Sequence, residues 1–443
     1  MKSRSNEIRT KFLRYLTAAF GSAFILSIYS IFDAAIVGKY VGTQGVAALA
    51  VIAPIWNLIY GLGLMMGIGG SILFSIERGK REDKSGNDFF TTTVIFTLIL
   101  SVVCWIILGL FDGVVLTFLG ADECLLPLAK SYFLPIKIVL PVFMFNQMLA
   151  AFLRNDGNPI LATTGVLVGG IFNMVGDYCL VFIFNMGIFG AGLATAMGAC
   201  LSLLVMCSHF FSRKNTLRIE AVGHLDRYFR SISVSGFPAF FSDISMGILT
   251  FLFNRQVLRY LDLNSLAVYD TIINISTFVQ CCGYSVGQAA QPLLSENYGA
   301  GNRNAIRKLL KYALISSFVF GVFWFLISEI APNMYIYLFM KPENTILNIA
   351  PDIIRKYSFS YLLLPVNIFA GYYFQSVNKA KTAFFISVQR GLIVSGICIL
   401  IFPVLFGSSM LWMAMPVAEL ITVIYVARKL WIDHRSCLGA VKG

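Results

Sequence analysis

The sequence predicts an all-α integral membrane protein. It has twelve transmembrane helices in two pseudo-symmetric six-helix lobes, related as a parallel repeat. Three observations predict this: the composition, the spacing of apolar runs, and an internal repeat. Of the 443 residues, 58% are hydrophobic and 13% charged, whereas soluble domains average roughly 45–50% and 25%. The first apolar run is too long for a signal-peptide core and no small-residue cleavage site follows it, so it is expected to remain in place.

A bilayer core needs roughly 20 apolar residues per helix. Runs of that kind lie near 14–37, 47–76, 91–118, 130–153, 160–184 and 189–211, then near 232–260, 266–295, 310–338, 354–375, 383–406 and 409–430. They divide the chain into an N-terminal lobe over 1–212, a cytoplasmic linker over 213–231, and a C-terminal lobe with its tail over 232–443.

Basic residues gather at alternate connections: Lys2, Arg4, Arg9, Lys11 and Arg14, then Arg78, Lys80, Arg81 and Lys84, then Arg213, Lys214, Arg218, Arg227 and Arg230. Arg303, Arg307, Lys308 and Lys311, then Lys379 and Lys381, then Arg428, Lys429 and Arg435 continue the series. The positive-inside rule places both termini in the cytoplasm. The net charge of +12 is therefore a topology signal, and no nucleic-acid partner is expected.

A shift of 220 residues lays "MMGIGGSILFSIERG" (65–79) on "SVGQAAQPLLSENYG" (285–299). Gly67 meets Gly287, Leu73 meets Leu293, Ser75 meets Ser295 and Gly79 meets Gly299. Six segments per half return the chain to its starting side, so the halves run in the same sense. Parallel repeats are common in transporters, with the binding site near the midplane.

A charge at the bilayer centre costs roughly 2.5–3.5 kcal/mol on insertion scales, so intramembrane carboxylates are functional candidates. Asp33 lies in segment 1, Asn173 and Asp177 in segment 5, and Thr195 in segment 6. Asn173 and Asp177 are four residues apart and share a helix face. Together the four offer two carboxylates, an amide oxygen and a hydroxyl, ligands that suit a hard cation such as Na⁺. Two close carboxylates also hold one proton between them. Under the 220-residue shift Asp33 becomes Phe253, Asn173 becomes Ile393 and Asp177 becomes Ile397. The chemistry is asymmetric on a symmetric scaffold, which points to ion coupling. Phe253 and Ile397 are expected to tolerate small polar changes far better than Asp33 and Asp177 tolerate Asn.

Asp243, Asp270, Gln280, Gln288 and Glu419 are candidates for a substrate cavity that attracts cations. Most cysteines fall in apolar runs and behave as small hydrophobes, and no metal-ligand spacing of Cys and His appears. His209, His224 and His434 read as solvated interfacial side chains. Gly61, Gly63, Gly67, Gly69 and Gly70 lie in an apolar run without a following Lys-Ser/Thr, so they allow close helix approach and do not cradle phosphate.

In "DAAIVGKYVGTQGVAALAVIAP" (33–54), "GGSILFSIERGK" (69–80) and "FLRNDGNPILA…NMVGDYCLVF…GIFGAGLATAMG" (152–198), the chain resembles the multidrug and toxic compound extrusion (MATE) transporters. "QPLLSENYGAGN" (291–302) and "YFQSVNKAK" (373–381) extend the resemblance over nearly the whole chain, in particular to the DinF-like bacterial branch. The resemblance implies two six-helix lobes that alternate between outward and inward openings, and export of organic, often cationic, compounds against entry of H⁺ or Na⁺. Asp33, Asn173, Asp177 and Thr195 match the first-lobe cation pattern of some members. Where some members carry a proline in segment 1, this chain has Ala18. The expectation is a non-enzymatic, monomeric multidrug antiporter of the bacterial inner membrane. It needs no cofactor beyond the coupling ion. The alternative is a flippase of lipid-linked oligosaccharides, which would want a more basic cavity than Lys137, Arg255 and Arg390 provide.

Overall fold

The computed structural model describes residues 2–340 and 343–439, and among them every regular element is helical. In order these are α1 (Lys2–Val41), α2 (Thr43–Gly79), α3 (Asp83–Phe118), α4 (Leu125–Ile138), α5 (Leu140–Asn155), α6 (Pro159–Tyr178) and α7 (Gly187–Cys207). Then follow α8 (Leu225–Tyr260), α9 (Leu263–Gly299), α10 (Arg303–Ile330), α11 (Pro332–Phe339), α12 (Asn344–Ser376), α13 (Ala380–Val388), α14 (Val394–Phe406) and α15 (Ala414–Gly439). In hydrocarbon every backbone N–H and C=O must be paired within its own segment, which leaves the helix as the local solution.

Each of the twelve apolar runs falls on helix. Among the described residues nine helices are long and apolar enough to cross a membrane, ten when α4 and α5 are joined. That pair bends by 58° where Pro141, lacking an N–H, cannot pair back into α4. The two remaining runs are α9 and α12. They carry more polar residues, and they pack against each other and against α10, so they face protein over much of their length.

The repeat is visible in the backbone. Shifted by 220 residues, Thr43–Gly79 falls on Leu263–Gly299. The kink inside α3 at Phe111 (φ −118°, ψ 20°) falls on Ala331 (φ −136°, ψ 57°), where α10 gives way to α11. Gly187 and Gly407, also mates, both have positive φ, a conformation that glycine adopts without strain. Ala18, which stands where a proline was considered, lies inside the continuous α1, and its carbonyl accepts a hydrogen bond from Thr163 Oγ1 at 2.7 Å.

The chain forms two compact units, Thr17–Ile244 and Met1–Leu16 with Ser245–Gly443. In the first, a Cβ on Gly69 would sit 2.2 Å from the Ile232 carbonyl, and one on Gly236 would sit 1.8 Å from that of Met65. Glycine at both positions is what lets α2 and α8 touch backbone to backbone. The stretch after α7 folds back onto this unit. Leu217 is buried with Phe74, Phe90, Met148 and Phe152, while the Arg218 and Glu220 amides donate to Asn87 Oδ1 and Thr91 Oγ1.

His209 corrects the sequence reading. It is fully buried, with Nε2 2.7 Å from Asp156 Oδ2 and Nδ1 3.2 Å from Asn158 Nδ2. Asp156 also accepts from Arg78 Nη1 at 2.9 Å and from the Thr216 amide and hydroxyl. The returning chain encloses the imidazole, so its place near a segment end did not mean solvent. The side chain of His434 lies outside the described residues. Phe253, in the other unit, is 1% exposed and stacks on Tyr269 at 4.2 Å, with Trp412 at 5.8 Å, so it is part of a packed core.

Candidate cation site

Helices α6 and α7 meet through small residues. A Cβ on Gly169 would lie 2.7 Å from the Gly198 carbonyl, and one on Gly198 would lie 2.7 Å from that of Gly169. This close approach sets Asn173 and Asp177 of α6 beside Thr195 of α7. Asn173 Nδ2 donates to Thr195 Oγ1 at 3.0 Å and to Asp177 Oδ1 at 3.5 Å. One residue beyond Asp177, at Tyr178, the α-helix ends and a π-helical turn, Cys179–Ile183, begins; such turns recur at functional sites.

Asp33 comes from α1 and is 9% exposed, with Oδ2 accepting from Tyr132 Oη of α4 at 2.8 Å. Tyr132 is held in place from behind: a Cβ on Gly192 would be 2.0 Å from its carbonyl oxygen, so α7 presents only a glycine there. Asp33 and Asp177 are within electrostatic reach of each other. The structure thus gathers all four residues expected from the sequence, on three helices of one unit.

Acceptors outnumber donors in this cluster. Asp33 Oδ1, Asn173 Oδ1 and Asp177 Oδ2 are buried and receive no hydrogen bond among the described residues. Neither carboxylate is ion-paired there, and Asp177 is 0% exposed. Burying an ionised carboxylate without a partner is very costly. The arrangement therefore demands a proton or a small cation, and its free oxygens are of the kind a hard cation takes.

The expected cavity residues differ in burial. Asp270 is exposed, Asp243 and Gln288 are partly buried, and Gln280 is buried on α9. Glu419, expected to attract cations in a cavity, has its charge met within the protein. It is 0% exposed and bound to Arg390, Nε to Oε1 at 2.8 Å, and to Asn367, Nδ2 to Oε2 at 2.7 Å. Lys137 is likewise tied, at 2.5 Å, to Asp112 of α3. Sequence reasoning missed Tyr132, a phenol in an apolar run with no charge to mark it. It also missed the contact of Tyr29 Oη with Tyr60 Oη at 3.2 Å between α1 and α2.

A family model described as MatE matches residues 18–179 and 238–402. Multidrug export protein MepA of Staphylococcus saprophyticus is 21% identical over 420 residues, covering 93% of this chain and 92% of its own. Probable multidrug resistance protein YoeA of Bacillus subtilis is 23% identical over 341 residues, covering 74% and 72%. Among solved structures, an outward-facing multidrug resistance MATE family transporter of the MOP superfamily superposes with a TM-score of 0.90 at 19% identity, covering 98% of this chain and 97% of its own. A crystal structure of MATE in the bent conformation gives 0.88 at 19% identity over the same shares. At these identities the structural likeness concerns the fold.

Proposed function

The chain belongs to the MatE family, a family of transporters and not of enzymes, and from that premise we propose that it is a multidrug exporter driven by antiport of H⁺ or Na⁺ at Asp33, Asn173, Asp177 and Thr195. The observation that carries this reading is the pair of buried, unpaired carboxylates among oxygens that receive no donor. The substrates are read as organic cations, and the multidrug character follows the names of MepA and YoeA.

Ion and substrate oppose each other in this account. With the site empty of its ion, two carboxylate charges sit uncompensated in low dielectric. Taking up H⁺ or Na⁺ relieves that cost and favours a different arrangement of α1 against α6. Differential affinity for the two arrangements is what couples the fluxes. Tyr132 fixes one oxygen of Asp33, and Asn173 bridges Asp177 to Thr195, so the ion enters a set of ligands already oriented.

The flippase reading is weaker here. Lys137 and Arg390 are each bound to a carboxylate, which leaves them unsuited to a lipid pyrophosphate. The protein is read as a monomer in a bacterial cytoplasmic membrane, with both termini and the 213–231 linker on the cytoplasmic side.

The test is transport in proteoliposomes, with a proton gradient and a Na⁺ gradient imposed separately. One of the two is expected to drive uptake of an organic cation dye against its gradient. Transport indifferent to both would defeat the proposal. Cysteines placed near Lys80, Asn215, Gly301 and Lys379 should all label from the cytoplasmic side; Lys80 and Lys379 on opposite sides would defeat the orientation.

A further inference from the structure

A second buried acid, Glu419, stands in the other half of the chain in an opposite electrostatic condition. Both its oxygens are bound, one to Arg390 and one to Asn367. Arg390 sits in a π-helical turn, Gln389–Ile393, and its carbonyl accepts from Ser395 Oγ at 2.5 Å. Tyr357 of α12 lies within electrostatic reach of both partners, and Tyr284 of α9 within reach of Arg390. Under the 220-residue shift Arg390 falls on Gly170, Glu419 on Ala199 and Asn367 on Gln147. The shared scaffold therefore does not dictate this pair.

We propose that Arg390 is a resident counter-ion, which does for Glu419 what a transported cation does for Asp33 and Asp177, and so confines ion coupling to the first half. A guanidinium stays charged at all working pH values. Bound through Nε to an enclosed carboxylate, it neither leaves nor gives up its proton. Glu419 then has no charge to offer H⁺ or Na⁺. Asn367 occupies the second oxygen, which also blocks bidentate capture of an outside cation. The role of Arg390 is to set the number of coupling sites. This inference rests on the ion-coupling reading above, and the test separates the two.

The experiment uses the full-length protein in detergent and in proteoliposomes. Arg390→Met strips Glu419 of its partner. The melting temperature of that variant is expected to acquire an added dependence on pH or Na⁺, rising with either ion, and adding Glu419→Gln is expected to erase it. Arg390→Met with Glu419→Gln is expected to retain ion-driven export within about threefold of the parent, since replacing both members of a buried pair is often neutral. The added dependence should survive in an Asp177→Asn background, where the first site is disabled. Failure of Asp177→Asn to alter the parent's own ion response would count against the coupling reading alone. A folded double variant with export lost by tenfold or about that would overturn the present proposal, as would an Arg390→Met protein with no new ion dependence. If Arg390→Met does not fold, the double variant and Arg390→Lys, which keeps the charge and should export normally, decide the matter.

Discussion

Asp177 and Glu419 are both carboxylates with 0% exposure, yet their surroundings differ in kind. Asp177 shares a cluster with Asp33 and keeps an oxygen without a donor. Glu419 has a guanidinium on one oxygen and an amide on the other. The repeat carries over α2 onto α9, the break at Phe111 onto Ala331 and the positive φ of Gly187 onto Gly407, but not the charges. Burial alone therefore does not separate the two acids; what separates them is that one keeps an unmet demand for positive charge and the other has it met.

The largest effect on transport should come from disabling the open cluster. Asp177→Asn is expected to lower ion-driven export at least about 100-fold, some 2.7 kcal/mol in coupling, while the protein still folds and inserts. Cells carrying it at parental expression should lose drug resistance; normal resistance would erase the contrast with Glu419. The largest effect on stability belongs to Phe253→Ala at the repeat mate of Asp33. Loss of a fully packed aromatic should cost about 3–5 kcal/mol of stability, read as a lower denaturation midpoint in detergent. An unchanged midpoint would mean that the mate of Asp33 is not core after all.

Smaller still is Tyr132→Phe. It deletes one hydrogen bond to a carboxylate, worth about 1.5–3 kcal/mol, so coupling-ion affinity should change by about tenfold or more with substrate affinity at the disabled-ion limit unchanged. A variant with parental ion affinity would remove Tyr132 from the site. The smallest effect belongs to Ile397→Thr, the mate of Asp177. Ile397 is 51% exposed on its helix, and a single change on such a face should stay within about 1 kcal/mol. A loss of export there would show that the second half carries coupling chemistry at the mirrored position.

Much of this was legible in the sequence because hydrocarbon imposes strong rules. Twelve apolar runs and the 220-residue shift foretell the helices, down to α2 and α9 as mates. Asp33, Asn173 and Asp177 stand out because polar groups in an apolar run are costly. Thr195 followed from its neighbours in the pattern. What stayed hidden depends on contacts between distant residues. Glu419 and Arg390 lie 29 positions apart on different helices, so their pairing leaves no periodic trace in the sequence. Tyr132 has a neutral side chain that fits any apolar face. His209 was read as solvated because only the folded-back chain at Thr216 and Leu217 closes over it. Phe253 seemed replaceable because its repeat mate is polar, whereas its packing is set by Tyr269, Tyr357 and Trp412.

Competition between ion and substrate at the open carboxylate cluster is to be read from the substrate affinity of the purified protein, measured across pH and across Na⁺ at fixed ionic strength. Linkage requires the effect to be reciprocal. Affinity is therefore expected to weaken as pH falls or as Na⁺ rises, and Asp33→Asn is expected to bind substrate with that sensitivity gone. Affinity that is flat in both variables in the parent protein would contradict the account and return Asp177 to a purely structural place between α6 and α7.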